Sequence, residues 1–114
     1  MGDYQPQLID AFLISDNQTV LRNLAVGFIL LPLIDYREGE LYDALIRHLM
    51  TPDDKVALHV NCIYKLIQFA QKYPELIHEI QPVIEIRTEQ NKQASLSAAG
   101  KKFSKAINRI NRVK

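Results

Sequence analysis

Three stretches of the sequence repeat one pattern, reading YQPQLIDAF at 4–12, REGELYDAL at 37–45 and KYPELIHEI at 72–80. Each places proline or glycine before Gln or Glu, then a leucine, an apolar residue, and Asp or His. The leucines are spaced 33 and 35 residues apart: Leu8, Leu41 and Leu76. A pattern repeated at nearly constant spacing is typical of a chain built from similar structural units of about 35 residues.

Apolar residues recur every three or four positions along most of the chain, as at Leu41, Leu45 and Leu49. This spacing places them on one face of a helix, and no stretch alternates with the period of two that a half-buried strand requires. The sequence therefore predicts an all-α protein. The predicted helices cover residues 5–14, 18–34, 39–50, 54–72, 75–87 and 93–111.

Prolines and polar stretches set the predicted helix boundaries. Tyr73 precedes a proline and therefore avoids the helical region, so it should end the fourth helix. Pro32 and Pro82 lie in apolar segments, where a proline bends or terminates a helix. Residues 87–93 are polar and lack apolar periodicity, so we expect a loop there.

The starts of the even-numbered helices also repeat, at 19–20, 55–56 and 93–94, with spacings of 36 and 38 residues. The six helices therefore pair into three hairpins at residues 5–34, 39–72 and 75–111, within a single domain spanning 1–114. One such hairpin cannot bury its apolar face alone, whereas three stacked hairpins form a continuous core.

The stretches SDNQTVLRNLA (15–25) and TPDDKVALHV (51–60) resemble the HEAT repeat, in which a polar turn with Asp leads into a second helix opening with valine. Pro82 resembles the proline that bends the first helix of many HEAT units. The third unit departs from the pattern, with Ala94 in place of the valine. The resemblance implies a short right-handed α-solenoid, HEAT- or armadillo-like, with the second helices lining its inner surface.

Residues 54–110 are also similar to the C-terminal part of some small bacterial HEAT-like proteins of unknown activity. A few of those proteins carry the name adenylosuccinate lyase, but this chain contains no lyase signature loop. An enzyme or enzyme-associated protein is thus one alternative that the resemblance raises.

The location of the protein is predicted from Cys62 and from the apolar segments. A single cysteine forms no internal disulfide, which fits a reducing compartment. The N-terminus lacks the basic and long apolar regions of a secretory signal. The most apolar stretch, residues 24–34, has roughly half the length needed to cross a bilayer. We therefore expect a cytoplasmic protein with no membrane span.

Two residue pairs could carry chemistry. His59 and Cys62 are three residues apart on one predicted helix, as a nucleophile and its base could be, but their apolar neighbours favour core packing. Asp53 and Asp54 could act as an acid–base pair, but a position at a helix start favours capping. No metal-ligand motif, phosphate-binding glycine loop or nucleophile elbow occurs, so no catalytic residue, metal or cofactor is predicted.

The charges are unevenly distributed along the chain. Residues 1–90 carry 7 basic and 13 acidic side chains, a net charge of −6, whereas residues 91–114 carry 7 basic and no acidic ones. Five of the basic residues fall on the polar side of the last predicted helix: Lys101, Lys102, Lys105, Arg109 and Arg112. They could bind an acidic protein surface or the phosphates of a nucleic acid, or simply keep the terminal repeat soluble.

The second predicted helix raises a different possibility, because apolar residues surround it on nearly every side. Leu21, Phe28 and Leu31 are candidate interface residues for self-association through the first hairpin, unless the chain itself covers them. The sequence as a whole predicts a non-catalytic protein-interaction or scaffold module. A nucleic-acid-binding module and an enzyme are the alternatives.

Overall fold

The computed structural model describes residues 5–15, 17, 20–21, 23–24, 31–51 and 56–113, with side chains through residue 111. These residues form helices, turns and short connecting segments, and none of them forms a strand. The prediction of an all-α protein is confirmed. Whether the hairpins form a solenoid remains a prediction.

Five α-helices make up most of the described chain. They are α1 (Gln5–Ile14), α2 (Glu38–Met50), α3 (Val56–Lys72), α4 (Ile77–Gln90) and α5 (Ala94–Val113). A single turn of 3₁₀-helix, Pro74–Leu76, leads into α4. Helical backbone is also present at residues 20–21 and 23–24, inside the second predicted helix, whereas residues 32–34 are not helical.

The bounds of α1, α2, α3 and α5 lie within two residues of their predicted positions, although residues 54 and 55 fall outside the described part. The predicted loop at 87–93 is largely wrong, because α4 continues to Gln90 and only residues 91–93 are non-helical. Pro82 lies inside α4 without ending it.

Buried Arg87 explains why the polar end of α4 stays helical. Its side chain is only 7% exposed, and its Nε donates a hydrogen bond to the Leu49 carbonyl oxygen at 2.7 Å. Nη1 donates to Gln90 Oε1 at 3.0 Å. A residue that looks solvent-facing in the sequence is therefore a packing residue, whose aliphatic stem and charged head both have partners.

The helices form two layers. The helix α3 packs against both α2 and α5, while α2 also contacts α1 and α4. One layer thus contains α1, α2 and α4, and the other contains α3 and α5. The smallest dimension of the molecule is 20 Å, about two helix diameters. The radius of gyration, 13.4 Å, is that of a compact domain of this length.

The core lies between the layers. Along α5, the buried residues Leu96, Ala99, Phe103 and Ile107 recur at helical spacing and face α3. The central part of α3 is buried on most of its circumference, which follows from its position between α2 and α5. No helix among the described residues is long and apolar enough to cross a membrane.

A polar cluster joins α1 to the start of α2. Arg37 adopts a left-handed backbone conformation with φ of 48°, which is unusual for a residue with a side chain. Its guanidinium forms ion pairs with Asp10 at 2.8 Å and with Glu40 at 2.6 Å. Tyr36 also donates a hydrogen bond to Asp10. Hydrogen bonds from Arg37 and Tyr36 lower the pKa of Asp10 below its ordinary value.

Candidate binding surface on α3 and α5

The acidic residues that the structure describes all lie outside α3 and α5. Neither α3 nor α5 contains an aspartate or a glutamate, although together they are the longest helices of the described chain. The acidic residues that the structure describes all lie in α1, in 35–43 or in 75–89: Asp10, Asp35, Glu38, Glu40, Asp43, Glu75, Glu79, Glu85 and Glu89. The surface formed by α3 and α5 is therefore free of carboxylates from its own two helices.

Three cations of α5 share one groove on this surface. Lys102, Lys105 and Arg109 are exposed and are spaced three and four residues apart, which places them on one side of the helix. They line a groove of about 340 Å³, whose other wall is Ile67 and Gln71 of α3. This arrangement, called here the basic groove, combines three positive charges with an apolar wall and an amide.

An aromatic residue of α3 holds one of these cations. The Nζ atom of Lys102 lies 5.4 Å from the centre of the Tyr64 ring, within the range of a cation–π contact. Tyr64 is half-buried, so its ring is positioned by packing rather than by the lysine. The contact directs the Lys102 ammonium across the surface toward α3.

The five cations predicted from the sequence do not form one patch. Lys101 lies on the other side of α5, in a second groove of about 290 Å³ shared with Glu85 and Glu89 of α4. Lys92 also lines this second groove. Arg112 belongs to α5, but its side chain is outside the described residues. The basic groove thus contains three of the predicted residues.

The three candidate interface residues of the first hairpin differ in their burial and in whether the structure describes them. Leu21 is fully buried, so its side chain offers no surface to a partner. Leu31 is half-buried and packs against the core. Phe28 lies outside the described residues, so the predicted interface through this hairpin remains a prediction, with half-buried Leu31 as its one described candidate that retains some accessible surface.

Of the two candidate catalytic pairs, the structure describes His59 and Cys62, which lie in the core. Cys62 and His59 are both buried, and the His59 Nε2 atom is 3.0 Å from the Thr51 carbonyl oxygen. This burial agrees with the packing interpretation of Cys62. Asp53 and Asp54 lie outside the described residues. Within the described part of the chain, no three His, Cys, Asp or Glu side chains are grouped as metal ligands.

Sequence reasoning missed the contribution of α3 to the basic groove. Tyr64, Ile67 and Gln71 look like ordinary positions of an amphipathic helix when α3 is considered alone. The useful signal was the lack of any acidic residue across 56–72, which becomes meaningful only when α3 is known to pack against α5.

Comparison of the chain with models of known protein families, with curated proteins and with solved structures found no match. The functional argument therefore depends on the geometry and charge of the surfaces described above.

Proposed function

We propose that this chain is a non-catalytic interaction module, built from three HEAT-like helical hairpins, that binds an acidic segment of another protein in the basic groove. The observation that carries the proposal is the convergence of Lys102, Lys105 and Arg109 on a groove between two helices that lack carboxylates. The carboxylates that the structure describes lie in the other layer or in the segments next to it, and none of them lines the groove.

The packing of the helices supports the repeat interpretation. Stacked hairpins bring the first helices of neighbouring units together and likewise the second helices. Here α2 contacts α4, which are the first helices of the second and third predicted hairpins, and α3 contacts α5, which are the second helices. By resemblance to HEAT proteins, α3 and α5 would line the inner surface that such proteins use for binding.

The composition of the groove favours a protein segment as its ligand. Ile67 and the neighbouring Ala106 provide apolar surface between the cations. A peptide that carries both carboxylates and apolar side chains could satisfy both parts of the groove at once. Its charges would accelerate association and align the peptide, while its apolar side chains would supply most of the buried area.

A nucleic acid is a second candidate, favoured by the same cations and the same absence of carboxylates. Lys and Arg neutralise phosphates without regard to base sequence, and the resulting affinity falls steeply with salt. No aromatic side chain is among the described residues that line the groove, and the nearby Tyr64 ring is already in contact with Lys102. This arrangement leaves little aromatic surface for stacking bases, which single-strand binding uses.

The two candidates can be separated by fluorescence anisotropy. A labelled peptide rich in Glu and Leu is compared with a labelled duplex and a single-stranded oligonucleotide, each at about 50 and 200 mM salt. The proposal expects the peptide to bind more tightly than either nucleic acid at the higher salt. Tighter binding of an oligonucleotide, with a steep salt dependence, would instead support the second candidate.

The chain offers a matched pair of variants for this assay. Lys105→Glu with Arg109→Glu reverses two charges in the basic groove, whereas Lys92→Glu with Lys101→Glu reverses two charges in the groove against α4. Both variants change the net charge equally. The first should abolish peptide binding and the second should retain most of it. Equal losses would show that total charge, and not the basic groove, determines binding.

A further inference from the structure

A separate pocket lies on the other side of α3, where the start of α2, the end of α3 and the 3₁₀ turn meet. Its volume is about 250 Å³, and it is lined by Glu38, Gly39, Tyr42, Phe69, Tyr73 and Leu76. The Tyr42 and Phe69 rings are 5.6 Å apart between centroids, with an angle of 60° between their planes. Phe69 is buried behind this space, so the half-buried Tyr42 and Tyr73 rings are its accessible aromatic surfaces, and we call it the aromatic pocket.

Two carboxylates hold the tyrosines of this pocket. Tyr73 donates a hydrogen bond to Glu38 Oε1 at 2.6 Å, and Tyr42 donates to Glu79 Oε1 at 2.9 Å. A phenol that donates to a carboxylate gains electron density in its ring, which strengthens the attraction of the ring face for a cation. The same hydrogen bonds fix the rings, so a ligand would not have to order them.

An ammonium group of the chain itself already lies beside this pocket. The Nζ atom of Lys72 is 2.7 Å from Glu38 Oε2 and 5.4 Å from the centre of the Tyr73 ring. Burial tends to raise the pKa of Glu38, but hydrogen bonds from Lys72 and Tyr73 outweigh it and lower that pKa. Glu38 is therefore a carboxylate at neutral pH, and the local chemistry already binds one cation.

We propose that the aromatic pocket binds a methylated ammonium group, such as a trimethylammonium head. Methylation spreads the positive charge over an apolar surface and weakens hydration, so aromatic faces compete well with water for such a cation. Glu38 supplies the charge complement, and the volume suits a head group rather than a drug-sized molecule. This binding is independent of the basic groove, which lies between α3 and α5.

Gly39 gives a way to close the pocket without disturbing the core. A Cβ atom built on Gly39 would meet no other atom within 4 Å, so its position is open. Because Gly39 lines the pocket, Gly39→Leu would place a bulky side chain at its edge, and replacing glycine within α2 also favours the helix. Gly39→Ala provides the matched control, because it makes the same backbone change but adds only one methyl group.

The test uses the full chain and nuclear magnetic resonance titration of its backbone amides. The probe is choline, and the control ligand is its neutral analogue, in which a carbon atom replaces the nitrogen. Choline should shift amide signals at the start of α2, the end of α3 and the 3₁₀ turn. It should bind about tenfold more tightly than the neutral analogue. Equal affinity of the two ligands, or shifts located elsewhere, would overturn the proposal.

Variants then identify the groups responsible. Gly39→Leu should abolish choline binding, while Gly39→Ala should retain it. Lys72→Met removes the competing ammonium and should tighten binding, whereas Glu38→Gln should weaken it. Choline binding that survives Gly39→Leu, or that is indifferent to both other changes, would exclude this pocket.

The source of the head group is addressed by a second ligand. A peptide carrying trimethyllysine is titrated alongside choline and alongside the same peptide with unmodified lysine. Preference for the trimethylated peptide over choline would assign the pocket to a modified protein side chain, and preference for choline would assign it to a small molecule. Equal binding of the modified and unmodified peptides would contradict recognition of methylation.

Discussion

Lys65 is a buried lysine whose ionisation should make the stability of this protein depend on pH. Its side chain is 1% exposed within α3, and its Nζ donates a hydrogen bond to the Leu31 carbonyl oxygen at 3.1 Å. Burial lowers the pKa of Lys65 from 10.5 to about 8. We predict that Lys65→Met removes a pH-dependent component from the free energy of unfolding.

The direction follows from proton binding. Because the folded state lowers the pKa of Lys65, the unfolded chain holds the proton more tightly, and the free energy of unfolding rises with pH between the two pKa values. Between about pH 7 and about pH 9.5, the full pKa difference would contribute a rise of about 2 kcal/mol. Leu31 is only half-buried, so water near the ammonium should reduce this contribution to about 1 kcal/mol.

The measurement is urea unfolding of the natural chain and of Lys65→Met at several pH values across that range. Other groups titrate in both proteins, so the informative quantity is the difference between the two free energies of unfolding. This difference should shift in favour of the natural chain as the pH rises. A difference that stays constant across the range would refute the claim that Lys65 is charged against a burial penalty in the folded state.

Two further stability predictions concern α4 and its contacts. Arg87→Met removes the Arg87 donor from the Leu49 carbonyl oxygen, so it should lower the free energy of unfolding by about 1–3 kcal/mol in urea unfolding. The control is Arg47→Met at an exposed position, which should change that free energy by less than about 0.5 kcal/mol. Gly100→Ala should gain less than the usual helix-propensity benefit of about 1 kcal/mol, because the new Cβ would lie 3.1 Å from Thr88 Cγ2. Thr88→Ser removes that methyl group, so a double-mutant cycle should restore the full benefit, and the absence of coupling would contradict the close contact.

The sequence predicts a helix boundary well where a run of apolar residues at helical spacing meets a proline or glycine. The start of α2 and the end of α3 illustrate this, since residue 73 before a proline ended the helix as expected. The end of α4 was not readable. Arg87 belongs to a polar stretch without apolar periodicity, which predicts a loop. Its partner, the Leu49 carbonyl oxygen, is distant in sequence and cannot be anticipated from the local pattern.

The same limit applies to the two proposed sites. The sequence singled out the cations of α5, but their division between two grooves depends on which helix lies on each side of α5. The aromatic pocket was missed altogether, because Tyr42 and Phe69 come from different helices and each resembles an ordinary core position. Neither residue alone predicts a binding site, because the pocket exists only once helix packing places both rings beside Glu38.

The segregation of charge has a consequence for how the protein meets its partners. The net charge is only +1, so long-range attraction depends on the unequal faces rather than on total charge. A ligand approaching the basic groove encounters three cations and no carboxylate among the residues that line it, whereas one approaching α2 and α4 encounters mainly carboxylates. The α3–α5 surface of one copy could therefore associate with the α2–α4 surface of another. Such a contact is heterologous, so it would produce an open-ended assembly of copies rather than a closed dimer. An acidic partner in the basic groove would compete with that association, so it should reduce self-association at low salt.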